Sequence, residues 1–182
     1  MANICSFSMK VVGDRKNIES FYKALTQDGK IYMGRGADAD IDYEDGHAMI
    51  YGSCKWSIIS ALIDNAIDMR TNPKGWYWGE DTDPSTLEFV TLYEACAKWQ
   101  LDMEVYSEES GMQFQEHFIC LKGEVELQEC IDWEEYDVYD YETKEEAEED
   151  WGVEFTDEEW TNRDVNDGRI CRGGYECWVF EI

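Results

Sequence analysis

The side chains with the most chemical potential in this 182-residue chain are carboxylates. Asp and Glu number 42 against 15 Lys and Arg, which gives a net charge of −27. The excess is concentrated in residues 124–167, where 20 acidic residues accompany two basic ones, Lys144 and Arg163. That segment carries −18 and the rest of the chain carries −9. A surface of this charge repels nucleic acid and anionic membranes and attracts basic surfaces.

The acidic segment has the composition of a protein-binding surface. Trp and Tyr residues are interleaved with its carboxylates, and aromatic residues are enriched at protein interfaces. Side chains on one face of a strand recur about every 6.6–7 Å, so a row of charges is predicted along residues 124–134. The predicted partner-binding residues are Glu124, Glu126, Asp132, Glu134, Glu135, Asp137, Asp140, Glu142, Glu145, Glu146, Glu148, Glu149 and Asp150. A solvated acidic face that has no partner is the alternative.

A second acidic run has the look of a calcium loop but lacks its spacing. The run comprises Asp38, Asp40, Asp42, Glu44 and Asp45. An EF-hand needs Gly after the third ligand and Glu six residues beyond that Gly. Tyr43 and Met49 occupy those two positions, so no calcium site is predicted.

The histidines and cysteines give no catalytic motif. His47 and His117 have no Ser or Cys nucleophile at a recognisable spacing, and both are predicted to be structural. The seven Cys include no Cys-x-x-Cys, which is typical of buried thiols in a reducing cytoplasm. A bridge or a metal site at Cys171 and Cys177 remains an alternative. We therefore expect no enzymatic activity, no catalytic residues, no metal and no cofactor.

The elements that must position these residues are those of an α+β fold. Alternating apolar residues predict a strand over 4–12, and Asp14 is a predicted N-cap for the helix that follows. Residues 34–46 are predicted to be a loop and 47–56 a second strand. A helix over 58–72 follows, and then a loop carrying Trp76-Tyr77-Trp78 that is predicted to be a lid over the sheet, with a contact surface as the alternative. A third helix is predicted from Asp83-Pro84.

The second half of the chain is predicted to be mainly antiparallel strands. A strand over 101–106 precedes a hairpin of 112–121 and 124–134, which turns at Lys122-Gly123 and has one buried and one acidic face. Thr143 and Thr156 each stand three residues before a Glu, a spacing that predicts short capped helices. A last strand is predicted over 175–180. Helices packed on one face of an antiparallel sheet complete an α+β sandwich.

Several short motifs resemble those of a known domain family. They are Met1-Ala2-Asn3-Ile4-Cys5-Ser6, Gly13-Asp14, Ala97-Lys98-Trp99, Glu109-Ser110-Gly111-Met112-Gln113-Phe114 and Asp132-Trp133-Glu134-Glu135. Residues 1–135 thereby resemble the YubB-type ferredoxin-like domain of phage and plasmid proteins, although Ile4 stands where that family usually has Trp. The resemblance implies a ferredoxin-like antiparallel sheet with helices on one face, and no catalytic residues. Residues 136–182 would be an acidic, aromatic-rich C-terminal extension packed on or beside that domain.

In size and charge the whole chain is similar to anti-CRISPR proteins that inhibit type II Cas9. That resemblance implies a phage protein in the bacterial cytoplasm that binds Cas9 or its complex with guide RNA and blocks target DNA binding or cleavage. It would bind no nucleic acid directly and no membrane. One alternative is a phage or plasmid accessory domain, structural or protein-binding, without Cas9 activity. Another is a metal-dependent enzyme with carboxylate ligands.

Overall fold

The computed structural model of the protein describes residues 4–27, 31, 37–55, 57–58, 91–163, 167–175 and 177–182. These residues form an α+β fold, as predicted, with seven strands and four helices. The strands are β1 (Ile4–Val12), β2 (Asp38–Glu44), β3 (His47–Lys55), β4 (Asp102–Glu109), β5 (Phe114–Leu121), β6 (Glu124–Asp137) and β7 (Arg169–Gly173). The helices are α1 (Arg15–Thr26), α2 (Leu92–Trp99), α3 (Lys144–Trp151) and α4 (Asp157–Asn162). No helix within the described ranges is long and apolar enough to cross a membrane.

The strands form one antiparallel sheet in the order β2-β3-β1-β4-β5-β6-β7. Helix α1 connects β1 to β2, and α2 leads into β4. The predicted alternation of β1 is confirmed, because Cys5, Phe7, Met9 and Val11 are all buried. These side chains point to the face on which α1 and α2 pack. The other face of β1 carries polar residues and is partly exposed.

The main core lies between that face and the two helices. Helix α1 contributes Ile18, Phe21 and Leu25, which recur at helical spacing and are almost fully buried. Helix α2 begins at Leu92 because Thr91 is extended and forms a capping box with Glu94. A start at Asp83-Pro84, the helix over 58–72 and the Trp76-Tyr77-Trp78 lid are predictions that lie outside the described residues, apart from Ile58.

Two predicted elements are wrong. Most of the predicted 34–46 loop is strand β2, in which Ala39, Ile41 and Tyr43 alternate with acidic residues and pack on the core. The Asp and Gly content of this stretch concealed that alternation. The last strand is not 175–180 but Arg169–Gly173, which pairs with the end of β6.

The predicted hairpin turn at Lys122-Gly123 is confirmed. Both residues have positive φ, 53° and 99°, as a two-residue turn between twisted strands requires. A Cβ on Gly123 would lie 2.4 Å from the Cβ of Ala97 on α2. The close approach of the hairpin to α2 therefore depends on glycine at this position.

The C-terminal half of β6 leaves the main core and supports a second apolar cluster. Its buried members are Tyr136, Val138, Ala147, Phe155 and Ile170, from β6, α3, β7 and the segments between them. The predicted helix caps are both present. Thr143 Oγ1 accepts a hydrogen bond from Glu146 N, and Thr156 forms a capping box with Glu159. We call the part of the chain from Tyr136 to Gly173 the acidic unit.

Candidate functional site

The structure distributes the thirteen predicted partner-binding carboxylates over β6, the segment after it and α3. Eleven of them are exposed, and only Glu135 and Glu148 are half-buried. They do not form one continuous surface, because those on β6 are divided between the two faces of the sheet. The geometry of each group decides what it can bind.

A β-bulge breaks the predicted row of charges along β6. Ile119 pairs with Leu127 but Cys120 pairs with Val125, so one extra residue is inserted in β6. Because paired residues share a face, Glu124 and Asp132 lie on opposite faces of the sheet. The prediction of a single row from 124 to 134 is therefore wrong. The predicted buried face is also incomplete, since Val125 is 44% exposed.

Helix α3 carries the densest group of charges. Glu145, Glu146, Glu149 and Asp150 are exposed, and Ala147 is buried on the opposite side of the helix. Spacings of three and four residues place these carboxylates next to one another on the outer surface. We call these four residues the α3 acidic face.

Tyr141 forms one wall of this face. Its hydroxyl donates a hydrogen bond to Asp150, and that bond raises the pKa of the phenol. Together with Glu146, Glu149 and Asp150, Tyr141 lines a shallow open depression. An aromatic ring beside carboxylates is suited to a guanidinium or ammonium group, which pairs with the carboxylates and packs against the ring.

The basic residues of the acidic unit are held by other partners. Lys144 Nζ lies 2.7 Å from Asp157 Oδ1 and 3.9 Å from Glu148 Oε1, and it donates to Phe155 O at 3.0 Å. Its hydrogen bond with Asp157 raises the pKa of Lys144 and lowers that of Asp157. Lys144 begins α3 but is directed away from the α3 acidic face.

Arg172 ties β7 to α4. Its guanidinium donates to both oxygens of Glu159, at 2.8 and 3.1 Å, and to Glu154 O at 2.6 Å. It also packs over the rings of Tyr136 and Phe155. The hydrogen bond from Arg172 lowers the pKa of Glu159 to about 2.

The α3 acidic face consequently has no cationic partner within the described part of the chain. Arg163 lies over the ring of Trp160, with 4.0 Å from its Cζ to the centroid, and Arg169 pairs with Glu135 at 3.4 Å. No Lys or Arg in the described ranges lies within 4.0 Å of Glu145, Glu146, Glu149 or Asp150.

The interleaved aromatic residues differ in burial. Trp133 and Tyr136 are buried and belong to the interior. Tyr139 and Trp151 are 75% and 43% exposed, so these two remain accessible to a partner. The pattern of aromatic residues among charges did not distinguish these roles, because burial depends on which side of β6 and α3 each residue occupies.

A second acidic row lies at the other edge of the sheet. Asp38, Asp40, Asp42 and Glu44 are exposed on one face of β2 at two-residue spacing. They are spread along the strand and do not converge as calcium ligands would. No group of three or more His, Cys, Asp or Glu in the described ranges is placed to hold a metal ion. The alternation of acidic and apolar residues over 38–44 was the sequence pattern that could have predicted this row.

Buried polar residues form two further groups in the sheet. Glu104 is fully buried and its Oε1 lies 2.9 Å from His117 Nε2. Glu116 is also fully buried and accepts hydrogen bonds from Ser107 Oγ at 2.5 Å and Ile58 N at 2.9 Å. All seven cysteines are free, including the exposed Cys171 and Cys177.

Comparison with protein-family models, with curated proteins and with solved structures gives no match to this chain. The geometry of the site is therefore the basis for assigning a function. The α3 acidic face is its central feature, because it combines dense exposed charge, a neighbouring aromatic wall and no internal cation.

Proposed function

We propose that this protein is an inhibitor of the anti-CRISPR type, which binds Cas9 or its complex with guide RNA and blocks target DNA binding or cleavage. The observation that carries the proposal is the α3 acidic face, with four exposed carboxylates that form no ion pair with a described Lys or Arg. Cas9-type proteins hold nucleic acid in a positively charged channel and read a short DNA motif with paired Arg side chains. Carboxylates engage the same guanidinium groups through two parallel hydrogen bonds.

This arrangement of charges lowers the stability of helix α3 in the free protein. Glu145 and Glu149, and likewise Glu146 and Asp150, are like-charged neighbours at four-residue spacing, a geometry that destabilises a helix by about 0.2–0.5 kcal/mol per pair. Glu149 and Asp150 also lie at the negative end of the helix dipole, where α3 has no basic residue. A surface that is retained against local stability is typical of a binding site.

The proposed mechanism is competition for basic side chains. The acidic unit occupies Lys and Arg residues that would otherwise contact phosphates, so DNA is excluded without being bound by the inhibitor. Complementary charge also accelerates the encounter and makes its rate dependent on salt. The protein acts without catalysis and without a cofactor, and its net charge of −27 disfavours nucleic acid and anionic membranes as partners.

We further propose that β1 to β4 with α1 and α2 form a ferredoxin-like unit. Supporting this, the four strands lie in the order β4-β1-β3-β2, and both helices pack on one face. In this view residues 1–135 are a scaffold, and residues 136–182 are the extension that presents the partner-binding surface. The proposed location is the cytoplasm of a bacterial host cell, where Cas9 acts.

The test is an assay of target DNA binding and cleavage by the Cas9–guide RNA complex, with and without this protein. The first variant carries Glu145→Gln, Glu146→Gln, Glu149→Gln and Asp150→Asn. The control variant removes four charges from β2 through Asp38→Asn, Asp40→Asn, Asp42→Asn and Glu44→Gln. Because both variants have the same net charge, a difference in their binding reports the position of the removed charges and not the total charge.

We expect the α3 variant to bind less tightly and to lose most of the salt dependence of binding, while the β2 variant inhibits like the unchanged protein. Equal losses in the two variants would show that only total charge matters. Cas9 activity that is unaffected by the unchanged protein would overturn the Cas9 proposal and favour an accessory domain of the mobile element.

A further inference from the structure

The chain after β7 crosses the sheet face that α1 and α2 leave open. Tyr175 N donates to Gln115 Oε1 on β5 at 2.6 Å, and Tyr106 on β4 donates its hydroxyl to Val179 O at 3.0 Å. Glu181 N and Ile182 N then donate to a carboxylate on β4. We call residues 174–182 the C-terminal strap, of which Gly174–Tyr175 and 177–182 are described.

The carboxylate that holds the end of the strap is that of Glu104. Its Oε2 accepts from Glu181 N at 2.6 Å and from Ile182 N at 3.1 Å, while its Oε1 contacts His117 Nε2 at 2.9 Å. Glu104 is fully buried, and a buried carboxylate is costly unless hydrogen bonds satisfy it. The strap supplies two of the three donors, so the strap and the carboxylate stabilise each other.

Aromatic contacts complete the attachment. The rings of Tyr106 and His117 are stacked with 3.9 Å between centroids, and the ring of Trp178 is nearly parallel to that of Tyr106 at 5.8 Å. Phe180 and Tyr175 contact Tyr106 edge-on at 5.4 and 5.5 Å. Tyr106 and His117 are only 5% and 6% exposed beneath this cover.

The strap joins the sheet through two consecutive glycines. Gly173 and Gly174 have φ of 72° and 73°, a conformation that other residues rarely adopt. A Cβ on Gly174 would lie 2.9 Å from Gln115 Oε1 and 3.2 Å from Trp133 Cβ. Beyond them, the described strap residues form no strand pairing, and side chains of β4, β5 and β6 hold the strap in place. The contact with β6 is a hydrogen bond from the Tyr175 hydroxyl to Glu129 Oε2 at 3.3 Å.

We propose that the C-terminal strap is a detachable cover, which opens about Gly173 and Gly174 while the sheet stays folded. Segments held by few hydrogen bonds and joined by flexible residues open at a lower free energy than the whole domain. Opening uncovers Tyr106, His117 and Glu104 as an aromatic and ionisable surface in the middle of the sheet. This inference is independent of the proposed function, since the strap does not include the α3 acidic face.

The test is hydrogen exchange, measured on the 182-residue chain by NMR or mass spectrometry. The reporters are the amides of Tyr175, Glu181 and Ile182, which donate to side chains, and the reference is the set of amides in β1. A detachable strap predicts that the reporters exchange at least about 10-fold faster than the β1 amides. Reporters that exchange as slowly as β1, only through global unfolding, would overturn the proposal.

Two Tyr→Phe variants distinguish local opening of the strap from a global loss of stability. Tyr106→Phe removes the hydrogen bond to Val179 O but keeps the ring, and Tyr22→Phe removes an equivalent bond to Ala39 O, which is 2.7 Å long. One hydrogen bond corresponds to a change of about 2- to 12-fold, so Tyr106→Phe should accelerate reporter exchange by that factor. Tyr22→Phe should leave the reporters unchanged. Equal acceleration in both variants would show a global effect and contradict a local strap.

Discussion

Two substitutions on α3 test whether its charges are arranged for binding at the expense of stability. Glu149→Gln and Glu145→Gln each remove one exposed carboxylate from the α3 acidic face, and Gln has nearly the helix propensity of Glu. They differ in their position along the helix dipole. Glu145 is in the first turn, where negative charge is favourable, and Glu149 is in the last turn, where it is unfavourable.

The expected magnitudes follow from the neighbours of each residue. Glu149 has like charges three and four residues before it, Glu146 and Glu145, which cost about 0.2–0.5 kcal/mol each. Its interaction with the dipole costs a further amount of about 0.3–1 kcal/mol. Glu149→Gln should therefore raise the free energy of unfolding by about 0.7–2 kcal/mol. For Glu145→Gln the lost favourable dipole interaction offsets the relieved repulsion, so we expect a change near zero.

The assay is urea unfolding of both variants at low salt and in 1 M NaCl. At 1 M the screening length falls to about 3 Å, so the difference between the variants should largely disappear. In a thermal scan the same difference corresponds to about 2–4 °C per kcal/mol for a chain of this size. If Glu149→Gln is not more stable than Glu145→Gln at low salt, or if the difference persists in 1 M NaCl, this account of the α3 acidic face is wrong.

Three further measurements address other parts of the fold. Because the pKa of Glu159 is lowered from 4.5 to about 2, its ion pair with Arg172 should stabilise the protein above pH 4.5 and lose that effect as the pH falls toward 2. Arg172→Met should remove this pH dependence from acid unfolding curves, and an unchanged curve would contradict the role of the ion pair. Burial, mainly, raises the pKa of Tyr175 to about 12, so the stability that its neutral phenol contributes should be present below pH 10 and lost as the pH rises from 10 to 12. Absorbance titration of Tyr175→Phe should lack a phenol that ionises near pH 12 in the unchanged protein, and identical titrations would refute the assignment. In urea unfolding, Gly123→Ala should destabilise the protein by about 1–3 kcal/mol more than Gly46→Ala. Both glycines have positive φ, but of the two only Gly123 would place its new Cβ against another residue. Equal losses of stability would show that backbone strain alone accounts for the effect.

Local periodicity predicted much of the scaffold. The alternation of Cys5, Phe7, Met9 and Val11 located β1, and the helical spacing of Ile18, Phe21 and Leu25 located α1. These predictions succeeded because a strand or helix that packs on one core repeats its apolar residues with a fixed period. The same principle was available for β2, where Ala39, Ile41 and Tyr43 alternate, but the intervening Asp residues favoured a loop.

The candidate site was predicted in composition but not in arrangement. The sequence located the acidic segment and the capped starts of α3 and α4, since charge content and capping residues are local properties. It did not show that a bulge places Glu124 and Asp132 on opposite faces, because strand register is set by pairing with β5. It also did not show that the outward carboxylates of α3 would form no ion pair with a described Lys or Arg.

By itself the sequence determined that the chain is acidic, that the acidity is concentrated in residues 124–167, and that helices and strands combine in an α+β fold. Tertiary structure alone decided which carboxylates form ion pairs or hydrogen bonds and which remain unpaired. Arg172 reaches Glu159 across 13 positions, and Glu104 binds the amide of Glu181 across 77. Such pairings depend on how distant segments meet after the core has packed, and no local pattern records them. The same packing places exposed carboxylates of α3 beside the ring of Tyr141.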